Sequence, residues 1–144
     1  MRGNERLTAA TAVALLVLLA IEGVTILFVR PLLSLHELVG LILIPPVALK
    51  LGATGYRFLR YYRGDASYVE KGPPHPLMRF LVAPVLVAST FGVLATGVAI
   101  LALHQRHGMV VGLHKASFVF WIGAAAIHVL VYAPRIPPAL RRAR

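Results

Sequence analysis

Apolar positions fall into four long runs, separated by short clusters of charged residues, glycine and proline. The runs cover about residues 7–29, 32–60, 77–104 and 109–132. A helix needs ~20 apolar residues to cross a hydrocarbon core ~30 Å thick, and each run is long enough. The pattern therefore predicts an all-α fold, an integral membrane four-helix bundle built as a single transmembrane domain over residues 1–144. Arg30-Pro31 reads as a tight turn, the stretch GDASYVEKGPPHP as a loop, and His104 to Gly108 as a short connection. Pro45-Pro46 falls inside the second run, where it should kink the helix and release backbone carbonyls. A signal peptide competes for the first run, but its apolar core would be ~7–15 residues long and end at a small-residue cleavage site. Here the run ends at Arg30-Pro31, so a retained helix is expected.

Composition supports this reading. The chain is 58% hydrophobic, with a mean hydropathy of +0.78. Its formal charge of +10 does not call for nucleic acid, because basic residues in membrane proteins gather in cytoplasmic loops. With both termini cytoplasmic, Arg2, Arg6, the basic residues from Arg57 to Arg79 and those of the tail from Arg135 lie inside. Only Arg30, Arg106 and Lys115 then lie outside, with Lys50 buried. The second and fourth helices would both run from outside to inside. The chain has no cysteine, which excludes disulfides, thiolate metal sites and covalent attachment of a c-type haem.

Ionisable residues inside the apolar runs are the candidate chemistry, because each is costly in hydrocarbon. His114 and His128 stand fourteen residues apart in the fourth run, two heptads, which returns them to one stripe about 21 Å apart along the axis. His36 opens the second run at a depth matching His114, and fourteen residues beyond it stands Lys50. Two imidazoles on facing helices are what a six-coordinate haem iron takes, and bundle cores are where such sites are built. His36 and His114 would hold a haem b near the outer face. Arg30, Arg106 and Lys115 would lie near its propionates, and Arg57, Arg60 and Arg79 near those of a second, inner haem. Glu22, in the first run, reads either as a carboxyl hydrogen-bonded to a neighbouring helix or as a group placed for proton uptake or beside a haem edge.

At this point the chain resembles the four-helix di-haem membrane cytochromes, the cytochrome b core and b561-like proteins. The stretches LHELVGLILIPPVALKLGATGYRFLRYYRG and LHKASFVFWIGAAAIHVL carry the likeness, which spans about residues 32–131. The resemblance implies two haem b groups on two parallel helices, each with a histidine pair, in a small protein of the bacterial inner membrane. It also implies electron transfer, with a quinone or a redox protein as partner, and some relatives are membrane subunits of oxidoreductases. Homodimer formation is compatible with it. The sequence departs from that pattern at Lys50. Three readings of Lys50 stand side by side. In the first it ligates the inner iron opposite His128, which requires a neutral amine; in the second His75 supplies that ligand; in the third only one haem is bound and Lys50 snorkels to the interface. His104 and His107 read as solvated loop residues, as part of a quinol site, or, for His104, as a substitute for His36. A cofactor-free anchor or assembly subunit, and a small proton-coupled transporter using Glu22, Lys50 and His128, are the alternative functions.

Overall fold

The computed structural model describes residues 2–70 and 76–132, with side chains over 10–70 and 76–131. The elements are α1 (Arg2–Leu27), α2 (Leu33–Tyr62), a single turn α3 (Ala66–Val69), a π-helical turn (Met78–Val82) that runs into α4 (Ala83–Ala102), and α5 (Met109–Tyr132). No strand occurs among the described residues. Among the described residues four helices are long and apolar enough to cross a membrane, the pattern of a multi-pass membrane protein. The chain divides into two compact units. In the first, α1 packs on α2; in the second, α4 packs on α5.

Polar residues turn inward and apolar ones outward on α1, while α2 buries Val39 and Leu43. Along α1, Thr11, Glu22 and Thr25 are buried, while Val17, Val24 and Leu27 are exposed. This inverts the soluble pattern. It suits hydrocarbon, where an apolar side chain gains nothing by being hidden and a polar one needs an internal partner.

α2 continues through Pro45 and Pro46 without a break. The two prolines supply no amide hydrogen to the carbonyls of Leu41 and Ile42, yet breaking the helix would strand more backbone groups in an apolar medium. At about 1.5 Å per residue its 30 residues span about 45 Å, more than a ~30 Å core. Its C-terminal turns are aromatic and basic: Phe58 and Tyr61 pack on Tyr62 with ring centroids 4.5 and 5.4 Å away, and the Arg60 guanidinium lies 5.9 Å from the Tyr56 ring centre. Arg60 pairs with Asp65. Asp65 also caps α3, accepting from the Ser67 amide at 3.2 Å and the Ser67 hydroxyl at 2.6 Å.

These Ser67 bonds, with the Arg60 charge, hold the Asp65 carboxyl below its usual range. The lowered value means the cap is in place above the ordinary carboxylate range and is lost as pH falls through the folded-state value. Acidification below that range should therefore lower the protection of the Ser67 amide, measured as its exchange rate relative to the intrinsic rate at the same pH.

The start of α4 is shaped by Pro84. With no N–H it cannot bond to the Phe80 carbonyl, and its ring would crowd that oxygen. The chain widens instead into the π-turn, in which the Ala83 amide donates to the Met78 carbonyl. α4 ends in a Schellman motif: the His104 amide donates to Leu101 O at 3.3 Å and the Gln105 amide to Ile100 O at 3.1 Å. His104 takes the left-handed position, φ 52°, the place Gly64 fills at φ 76° after α2. The same bonds recur there, from Gly64 to Tyr61 O and from Asp65 to Arg60 O. His104 is thus an exposed helix-ending residue in a conformation that costs a side chain energy. His104→Gly should raise stability by up to about 1 kcal/mol, and the β-branched His104→Val should lower it by about 1–2 kcal/mol. Thermal unfolding in detergent checks both.

Candidate cofactor site

In each unit a histidine near the start of the second helix is held from the helix before it. His36, in the first turn of α2, places Nδ1 2.8 Å from Glu22 Oε1 and 3.2 Å from Thr25 Oγ1. The Thr25 hydroxyl donates back along α1, 2.7 Å to the Glu22 carbonyl and 3.0 Å to Glu22 Oε2. Its oxygen is therefore left to accept. Both groups facing Nδ1 are acceptors, so Nδ1 carries the hydrogen. Thr25 is fully buried and Glu22 nearly so.

The second unit repeats the arrangement with different chemistry. His114 Nδ1 lies 3.0 Å from the Val93 carbonyl and 3.0 Å from Thr96 Oγ1. The Thr96 hydroxyl donates to the carbonyls of Gly92 at 2.5 Å and Val93 at 3.2 Å. A carbonyl can only accept, so here too Nδ1 bears the hydrogen and, in the neutral ring, Nε2 bears the lone pair. Gly97 makes the room: a β-carbon there would come within 3.2 Å of His114 Cε1. Five residues nearer the chain start, Gly92 faces Ser117, and a β-carbon would meet its Oγ at 2.6 Å. Two turns along α5 from His114, Trp121 Nε1 donates to Thr90 Oγ1 at 3.1 Å and stacks on Phe118 at 6.2 Å between centroids. The stripe from His114 to Trp121 therefore lies against α4.

A neutral imidazole with Nδ1–H tied to a carboxylate or carbonyl and Nε2 as donor is the state in which histidine ligates a metal. In each ring, when neutral, the lone pair is therefore on Nε2. Among the described residues no three His, Asp or Glu side chains gather into a metal-binding group; haem iron takes only two protein donors.

The remaining candidates are more scattered. Lys50 on α2 and His128 on α5 are half-buried, whereas Arg57 and Lys115 are exposed. His75 lies outside the described residues, as do Lys71 and the basic tail from Arg135. Arg79 sits in the π-turn, its guanidinium 5.0 Å from the Phe80 ring centre. Thr25 and the Val93 carbonyl were not legible as site groups. The available signal was that Thr25 follows Glu22 by three residues, one helical turn.

No family model matches this chain, and comparison with curated proteins and with solved structures found no match.

Proposed function

We propose that this protein is a b-type membrane cytochrome of four transmembrane helices, with both termini cytoplasmic, that transfers electrons within or across a bacterial inner membrane. His36 and His114 are its axial ligands. The observation that carries the reading is the shared treatment of the two histidines: in each hairpin a threonine and a stronger acceptor on the preceding helix fix the Nδ1–H tautomer. Such outer partners orient a ligating ring and strengthen it as a donor. Bound haem supplies the one-electron chemistry. The chain supplies the two imidazoles, the apolar surround and the local charge that sets the potential. Lys115 is the proposed propionate partner of this haem and Arg57 that of a second, inner haem, and a quinone or a redox protein is the proposed exchange partner.

The test is the spectrum of the protein made with ample haem supply. It should be red, and dithionite should sharpen low-spin bands. A colourless product overturns the reading and leaves the cofactor-free anchor or the proton-coupled transporter, for which the buried Glu22–His36 pair is suited. A haemochrome assay counts the groups. Two per chain would assign the second to His128 with Lys50 or His75, and Lys50→Ala would separate these: loss of one equivalent identifies the amine, retention of both points to His75.

A further inference from the structure

Lys50 is a half-buried cation inside a helix long enough to span a membrane. Among the described residues it forms no salt bridge, and the charged group that acts on it is the Arg57 guanidinium, of the same sign. The chain has 15 lysines and arginines against five acidic residues. Of the acids, Glu22 pairs with His36 and Asp65 with Arg60. Glu37 precedes Lys50 on α2 by thirteen residues, ~20 Å along the axis, and Glu70 is exposed beyond α3. The side chain of Glu5 lies outside the described residues. Residues 74–144 contain no Asp or Glu, so the second unit has no carboxylate side chain to offer in any placement.

Depth shows where an anion would meet the pair. α1 ends at Leu27 and α2 begins at Leu33, so the turn between them, with Arg30, marks one edge of the apolar layer. A ~30 Å core takes ~20 helical residues, which puts the other edge near Gly52. By that reckoning Lys50 stands ~3 Å inside the edge and Arg57 ~7 Å outside it. Seven residues are two turns less ~20°, so the two cations share one face, with Thr54 between them. The long stem of lysine lets its ammonium reach outward from an apolar position. The two charges thus bracket the level of the lipid phosphates. Tyr61, one turn beyond Arg57, packs edge-on against Tyr62, and such rings favour this layer.

We propose that Lys50 and Arg57 bind the headgroup phosphate of an anionic phospholipid, selected over zwitterionic lipid in the leaflet where α2 emerges. A zwitterionic headgroup brings its own cation, which the pair repels; an anionic one such as phosphatidylglycerol brings net negative charge. The lipid then supplies the counter-charge that no described side chain gives Lys50. This site uses the interfacial position of Lys50 and needs no haem.

Native mass spectrometry of the full chain in mixed micelles with equal phosphatidylglycerol and phosphatidylcholine tests this. The first lipid bound should be mainly phosphatidylglycerol. Lys50→Gln and Arg57→Gln should each lower the ratio of the two bound species about fivefold, the worth of one basic residue at an anionic headgroup layer. Arg63→Gln, past the end of α2 and on its other side, should lower it less. A wild-type ratio in either variant, or an equal drop with Arg63→Gln, overturns the proposal. Inorganic phosphate at the lipid concentration should not displace the lipid; displacement would show a site for the free anion and overturn it too. Haem loading should leave the ratio unchanged, and a haem-dependent loss would assign the cations to propionates instead. If neither variant assembles, the wild-type protein decides alone, and equal binding of the two lipids overturns the proposal.

Discussion

His114→Ala should yield a protein without the low-spin haem spectrum. The alanine methyl cannot ligate iron, and the α4 groups that hold the ring, the Val93 carbonyl and the Thr96 hydroxyl beside the bare backbone of Gly97, offer no imidazole in its place. The change also removes the donor that the Val93 carbonyl and Thr96 oxygen share, but the Thr96 hydroxyl still bonds to the Gly92 carbonyl. The helices should therefore still pair, and loss of colour would reflect loss of a ligand, not collapse of the hairpin. His36→Ala should have the same spectral result. It leaves the Glu22 carboxyl buried without its imidazole, so it should cost stability as well, of the order of the 3–5 kcal/mol seen when a buried pair loses one member. Absorbance per polypeptide, read beside a thermal melt, separates the two effects. If both variants keep an unchanged low-spin spectrum, the ligand assignment is wrong.

Gly92→Val should splay α4 from α5. An added β-carbon would sit 2.6 Å from Ser117 Oγ and 3.1 Å from Ser117 Cβ. The hydroxyl can rotate away, but the β-carbon is fixed to the α5 backbone, so the helices must part. Overpacking of this kind costs about 1–3 kcal/mol, and the two further methyl groups of valine place the expected loss near the upper end. Parting the helices also lengthens the bonds from His114 to Val93 and Thr96, so haem retention should fall with stability. Gly92→Ala combined with Ser117→Gly should recover much of the loss, since it moves the missing β-carbon from one helix to the other. Gly123→Ala is the internal control. Nothing lies within 4 Å of its added methyl, and alanine favours a helix over glycine by about 1 kcal/mol, so it should be neutral or mildly stabilising. Denaturant or thermal unfolding in detergent distinguishes the three.

The apolar runs show why so much of the secondary structure could be read directly. Hydrocarbon offers backbone amides no partner, so a run long enough to cross it must be helical, and length with composition is sufficient evidence. The same logic placed Pro45-Pro46 within the second helix, and the helix runs through both. It missed the π-turn before Pro84, because local chain geometry decides whether a lost hydrogen bond is absorbed by a bend or by a widened turn. His36 and His114 were legible as candidates because an ionisable ring in an apolar run is rare. Their partners were not. Glu22 precedes His36 by fourteen residues and Thr96 precedes His114 by eighteen, and nothing in those intervals says which side chains meet once each hairpin closes.

By itself, then, the sequence determined four apolar helices, the turns between them and two histidines at helix starts, all of which follow from local spacing and the cost of polar groups in lipid. The tertiary structure alone decided that Thr25 and Glu22 hold one imidazole, that Val93 and Thr96 hold the other, and that Gly92 and Gly97 let α5 approach α4. Those outcomes depend on the rotation of each helix about its axis. Packing between neighbours sets that rotation, and a run of apolar residues facing lipid on most sides leaves it undetermined.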